Sequence, residues 1–175
     1  MAGCVAPGSK AFKTVIAMPD VRSSLRINWV YAAVPAVFLT DLWSKQWAEG
    51  LFGGVRTLVP GLIAIRLLHN PNGPFGFLAG LEWGAWPVGL ISLAMIGVLA
   101  FFAVKTRRTK KMRHLGFACM IGGAMGNAWD RWTRGYVVDF IELWFFPVFN
   151  VADLALWAGL ILVGVDFLFV KKPES

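Results

Sequence analysis

Gly122-Gly123-Ala124-Met125-Gly126-Asn127-Ala128-Trp129-Asp130-Arg131, continued by Asp139 and by Phe149-Asn150-Val151-Ala152-Asp153, places three aspartates, two asparagines and an arginine in or beside segments that otherwise read as membrane-buried. A charged side chain at the centre of a bilayer costs about 2.5–3.5 kcal/mol on insertion scales, so a cluster of them needs a reason. Asn127, Asp130 and Arg131 stand at i, i+3 and i+4, which predicts that they project from one face of a helix. Asn150 and Asp153 repeat the i, i+3 relation where the next apolar segment begins. Two polar helical faces, joined by a short loop carrying Asp139, can converge on one site.

Over the whole chain 57% of the residues are hydrophobic, mean hydropathy is +0.62 and there are nine tryptophans. Ordinary soluble domains are about half apolar, and tryptophan favours membrane–water interfaces. The composition predicts an integral membrane protein. The net charge of +7 is not spread as a nucleic-acid surface would be. Lys105, Arg107, Arg108, Lys110, Lys111 and Arg113 crowd into one loop between apolar segments, the pattern of a cytoplasmic loop obeying the positive-inside rule. No nucleic-acid partner is expected. Cys4 and Cys119 make no disulfide framework, since one lies in a polar stretch and the other in an apolar run.

Read in order, residues 1–26 predict a cytoplasmic tail, 27–170 a membrane domain and 171–175 a short cytoplasmic end. The spans are expected at Ile27 to Trp47, Trp83 to Val104, Leu115 to Trp132 and Pro147 to Val170, each near the roughly 20 residues that cross the hydrocarbon. Proline is tolerated in the first turn of the last one. Leu62 to Leu68 is too short to span and is bounded by Pro60-Gly61 and by Asn70-Pro71-Asn72-Gly73-Pro74, so it reads as a strand or interfacial piece. Thr133 to Phe146 reads as a loop. With both termini inside, Asp41, Glu49, Glu82, Asp130, Asp139, Glu142 and Asp153 gather at the outer side. Asp41 and Lys45, at i, i+4 in the favourable acid-before-base order, read either as an ion pair anchoring a helix end or as a substrate contact.

Two carboxylates brought close share a proton, one acting as general base and its partner as acid, which suits attack of water on a peptide carbonyl. Arg131 and the asparagines can hold a substrate or the pair itself. No histidine stands one helical turn (i±3 or i±4) from Cys119, and His69 and His114 fall on opposite sides of the expected topology. Gly122, Gly123 and Gly126 lack a following P-loop lysine and fit close helix packing instead. Spacing alone leaves three readings open: a peptidase, a proton- or ion-coupled carrier, and an inter-helix polar network that binds nothing.

Larger blocks narrow these readings. Gly126-Asn127-Ala128-Trp129-Asp130-Arg131, Tyr136-Val137-Val138-Asp139-Phe140 and Phe149-Asn150-Val151-Ala152-Asp153 resemble the signature blocks of the bacterial lipoprotein signal peptidase family, signal peptidase II. Asp41-Leu42-Trp43-Ser44-Lys45 is similar to its first block, and His69-Asn70 through Phe75-Gly76 to its second, although Asn72 stands where that block carries glycine. The resemblance implies an all-α inner-membrane protein with four transmembrane helices, a small extracytoplasmic β-cradle and an active site at the extracytoplasmic face. It implies an aspartic endopeptidase that cuts prolipoproteins before their diacylglyceryl-modified cysteine. Asp139 and Asp153 would be the catalytic dyad. Asn127, Arg131, Asn150, Asn70 and Asp41 would bind substrate or support the dyad, with Asp130 structural. Lipid-modified prolipoproteins and membrane lipids are the implied partners of a monomer, and neither a metal nor an organic cofactor is implied.

The charge asymmetry makes its own prediction. A single cysteine at Lys110 should resist impermeant thiol reagents in intact cells, whereas one at Gly54 should react; labelling at 110 from outside would overturn the four-span arrangement.

Overall fold

The computed structural model describes residues 29–51, 55–71, 86–107 and 110–169. The expected tails, Gly54, Asn72 to Gly76 and the first residues of the span expected from Trp83 lie outside them. Among the described residues the main elements follow one another as α1 (Ala33–Gly50), β1 (Arg56–Val59), β2 (Ile63–Asn70), α2 (Trp86–Lys105), α3 (Lys111–Arg134), β3 (Val137–Leu143), β4 (Phe146–Phe149) and α4 (Val151–Phe169). The strands form one antiparallel sheet in the order β1-β2-β3-β4.

Two expectations change. Pro147 does not open the last helix but lies in β4, and the helix starts at Val151. The stretch expected as a loop carrying Asp139 is a strand paired with β2, so Asp139 sits on a hydrogen-bonded ladder. The cause is local. Gly135, at φ 80°, ends α3 in the left-handed conformation that a side chain disfavours, and its N–H closes on the Arg131 carbonyl. The chain then enters β3 after Tyr136 alone.

Among the described residues α3 is the helix that packs against all three others. Small residues allow this. A Cβ on Gly122 would meet the Val34 carbonyl and Val37 of α1, and one on Gly126 would meet the Asp41 carboxylate. On another face, Gly116 lies against Gly159 and Gly123 against Ala152 of α4. Close approach through small residues is how helices associate where lipid offers no hydrophobic contrast.

The outward surface is apolar. Leu90, Ile91, Met95, Val98, Phe101, Phe102 and Val104 of α2, and Leu160, Ile161, Val165, Phe167, Leu168 and Phe169 of α4, are exposed. Pro87–Lys105 and Val151–Phe169, with mean hydropathy 2.4 and 2.0, are long and apolar enough to cross a bilayer. The same does not hold for α1 and α3, whose described parts carry Asp41, Lys45 and Glu49, and Lys111, Arg113, Asp130, Arg131 and Arg134. What the structure shows of the expected class is therefore helices plus a four-stranded antiparallel sheet, with two helices of spanning character.

The glycine contacts are testable. Gly123→Ala should lower stability by about 1–3 kcal/mol, the usual penalty for overpacking, because the new methyl meets the Ala152 carbonyl. Gly97→Ala, with open space around it, should be neutral or slightly stabilising. Thermal unfolding in detergent compares the two.

Candidate active site

The start of α4 shows why the Asn150/Asp153 spacing matters. The Asp153 N–H donates to Asn150 Oδ1 at 3.0 Å, and the Asn150 N–H donates to Asp153 Oδ2 at 3.3 Å. This reciprocal pair is a capping box, with aspartate in the third helical position. The Ala152 N–H is met from elsewhere, by Asp41 Oδ1 of α1 at 2.8 Å. Two of the donors that a helix start leaves open are thus satisfied by carboxyl or amide side chains of the expected site.

Asn150 also reaches Asp139. Its Nδ2 donates to Asp139 Oδ1 at 2.7 Å, so one asparagine touches both carboxyl groups. The other Asp139 oxygen, Oδ2, accepts from Asn70 Nδ2 at 3.0 Å. The ladder explains this contact: Leu68 pairs with Asp139 and Asn70 with Val137, which makes Asn70 and Asp139 diagonal neighbours.

Asn127 joins the pair to a buried ion cluster. Its Nδ2 donates to Asp153 Oδ1 at 2.9 Å, while its Oδ1 accepts from Asn150 Nδ2 at 3.2 Å and from Lys45 Nζ at 3.0 Å. Lys45 has no exposed surface and lies 2.7 Å from Asp41 Oδ2 and 2.9 Å from Asp130 Oδ2. Asp130 in turn accepts the Val138 N–H at 3.2 Å and lies 3.5 Å from Arg134 Nε, and Arg134 continues to Glu49 at 2.7 Å.

The face expected for Asn127, Asp130 and Arg131 is therefore divided. Asn127 and Arg131 line a cavity of about 480 Å³, and Asp130 turns to Lys45. Asn70, Asp139 and Asp153 line the same cavity, which continues along Val88, Met95 and Leu99 of α2, Met120 and Ala124 of α3, and Leu156 and Leu160 of α4. Asp41 and Asn150 are buried behind it and are not among its lining residues. Arg131 Nη1 donates to the Asn127 carbonyl at 3.2 Å and approaches Ser92 Oγ at 3.4 Å, and Nε has no hydrogen-bond partner among the described residues.

The structure thus brings Asp139, Asp153, Asn127, Asn150 and Asn70 into one hydrogen-bonded group, sets Arg131 on the same cavity wall and places Asp41 at the back. Lys45, expected with Asp41 as either a helix-end ion pair or a substrate contact, forms the ion pair and is also bound to Asp130 and Asn127. Its i, i+4 link to Asp41 was readable, but Asp130 and Asn127 lie too far along the chain to be seen as partners. Ser92 gave no signal.

The comparisons bear on this geometry. The family described as signal peptidase (SPase) II matches residues 33–169. The chain belongs to that family. A lipoprotein signal peptidase of Pseudomonas aeruginosa is 32% identical over 163 residues, covering 89% of this chain and 96% of that protein. One from Latilactobacillus sakei is 34% identical over 140 residues, covering 78% and 91%. A bacterial membrane enzyme solved by the in meso method at 2.3 Å superposes with a TM-score of 0.65 at 25% identity, over 89% of this chain and 95% of its own. The motif blocks thus identified the family, and with it a peptidase that removes signal peptides from prolipoproteins. The matched range runs from the first residue of α1 to the last of α4, so it takes in every element of the site.

Burial dominates the electrostatics of Asp139. It raises the carboxyl from its ordinary 3.8 to about 6; Asp153 nearby adds to the rise, while donors from Asn70 and Asn150 and the Lys45 charge oppose it. A carboxyl raised in the folded state gives stability that is fully present below 3.8 and lost as pH climbs through about 6. Asp139→Asn should therefore be more stable than the parent at pH 8, by roughly 1–3 kcal/mol, with the gap closing below about pH 4. Detergent melting from pH 4 to 8 checks it; equal stability at pH 8 would mean that Asp139 ionises there without cost.

Proposed function

We propose that Asp139 and Asp153 are the catalytic dyad of a membrane-embedded aspartic endopeptidase, which removes the signal peptide from a prolipoprotein by cutting before its diacylglyceryl-modified cysteine. The observation that carries this reading is the single Asn150 side chain and its backbone N–H, which tie the two carboxyl groups together at the wall of an otherwise apolar cavity.

The pair shares one proton, because two close carboxylates do not both ionise cheaply. The ionised member takes a proton from a water held between them, and the resulting hydroxide oxygen attacks the scissile carbonyl carbon. The protonated member gives its proton to the carbonyl oxygen, so the intermediate is an uncharged gem-diol. Collapse breaks the C–N bond: one diol hydroxyl returns its proton to the carboxylate that lacks one, and the other carboxyl protonates the departing amine. The pair ends with one shared proton, as it began.

Asn127 and Asn150 orient the carboxyl oxygens, and Asn70 holds Asp139 from the sheet side. Arg131 presents buried donors to a peptide or ester carbonyl of the substrate. Asp41 acts from behind, as a cap on α4. The apolar wall from Val88 to Leu99 suits a signal segment or acyl chain, and it excludes bulk water from the dyad.

The apolar outer surfaces of α2 and α4 and the basic 105–113 stretch support a placement in which all four helices cross the inner membrane, the termini are cytoplasmic and the dyad faces outward. The charged groups Asp41, Lys45 and Asp130 of α1 and α3 are compatible with crossing because they are buried against one another. Membrane lipid surrounds a monomer in this arrangement, and no cofactor takes part.

Processing of a purified lipid-modified prolipoprotein tests the proposal. Asp139→Asn and Asp153→Asn should each nearly abolish cleavage while the protein stays folded, and the double variant should be little worse, as for residues that act as a unit. Glu142→Gln removes an exposed-side partner of Arg66 and should leave cleavage largely intact. Stable Asp139→Asn protein that still cleaves would sink the dyad; ion transport in liposomes without processing would favour a carrier.

A further inference from the structure

We infer that Lys45 is a positioning residue of the reaction, acting through the side-chain amide of Asn127. The inference rests on the dyad reading above and adds to it a residue with no place on the cavity wall.

An ammonium has three N–H donors and no acceptor. Lys45 lies within hydrogen-bonding distance of three oxygens: Asp41 Oδ2 at 2.7 Å, Asp130 Oδ2 at 2.9 Å and an Asn127 side-chain atom at 3.0 Å. That Asn127 atom must be the carbonyl oxygen, because an amide nitrogen would set donor against donor. Asn150 Nδ2, 3.2 Å from the same oxygen, requires the same orientation. The opposite end of the amide is then Nδ2, a donor, 2.9 Å from Asp153 Oδ1. The lysine charge thus fixes which end of Asn127 faces the reacting carboxyl.

The consequence for Asp153 is chemical. With a donor on Oδ1 from Asn127 and another on Oδ2 from the Asn150 backbone, its carboxylate form is supported on both oxygens. A reversed amide would press a carbonyl oxygen against Oδ1, and Asp153 would have to keep a proton there. Lys45 therefore keeps Asp153 free to exchange its proton, without touching water or substrate. The charged groups around this relay are Asp41 on its own helix, Asp130, Arg131 and Arg134 on α3, Asp139 on β3 and Asp153 on α4.

Lys45→Met alone would leave buried Asp41 without a cation and Asp130 with only Arg134 at 3.5 Å, so the test uses Lys45→Met with Asp130→Asn, which keeps the summed charge of Asp41, Lys45 and Asp130 unchanged. The comparator is Asp130→Asn. The full-length protein in nanodiscs processes a lipid-modified prolipoprotein, and kcat, KM and the pH profile are read. Adding Lys45→Met should lower kcat at least tenfold, change KM less than twofold and move the acid limb of kcat to higher pH. In an Asn127→Leu background the same addition should change the residual kcat less than twofold, since the relay is already gone. An equal loss in both backgrounds, or a loss carried by KM, would overturn the positioning role.

Should the double variant not fold, the unaltered protein gives a second reading. The side-chain NH2 signals of Asn127, assigned by their absence in Asn127→Leu, should show a slowly rotating amide whose shifts follow ionisation of the dyad. A freely flipping amide would overturn the inference. Asp139→Asn and Asp153→Asn are run alongside. If both still cleave, the dyad reading fails; if both are inactive but Lys45 acts independently of Asn127, only the inference fails.

Discussion

A lysine ammonium with no exposed surface holds four elements together. Lys45 projects from α1, and its three acceptors come from α1 and α3. All three reach further, Asp41 and Asn127 to the first turn of α4 and Asp130 to the backbone of β3. Removing ions from water is costly, and taking away one partner of a buried pair typically costs about 3–5 kcal/mol. The cluster therefore rewards one arrangement of helices over others that bury a similar apolar area. It forms only because Gly122 and Gly126 let α3 approach the backbone of α1 and the Asp41 carboxylate.

The candidate site is built from the same groups that end and begin secondary structure. Asn150 and Asp153 cap α4 and also meet each other's neighbours across the site. Asp139 sits on a ladder whose pairing brings Asn70 onto its free oxygen. Each polar group is thereby fixed by backbone geometry rather than by a mobile loop, which holds the two carboxyl groups in register before any substrate arrives. The cost is visible at Asp139, whose burial opposes ionisation even with two amide donors in place.

Apolar surface is distributed to match. α2 and α4 expose long hydrocarbon faces, whereas α3 buries small and polar residues among the other helices. The candidate site lies at one end of the bundle, lined by residues of α2, α3 and α4 and of the sheet. The cavity joins an apolar wall, Val88, Met95 and Leu99 of α2, to the carboxyl pair.

Much of this was legible in the residues. Composition and the basic 105–113 stretch marked a membrane protein, and the two i, i+3 relations marked the start of α4 and the polar turn of α3, because helical periodicity writes same-face neighbours directly into the sequence. The motif blocks identified the family. The strand character of 137–143 was not legible: its ladder partner, β2, lies some seventy residues earlier, as Leu68 against Asp139 shows. Nor did spacing tell that Asp130, one residue before Arg131, leaves the cavity to meet Lys45. Side-chain partners across helices depend on how closely two backbones approach and on which hydrogen-bond donors remain unsatisfied there. Those quantities exist only once the helices are packed.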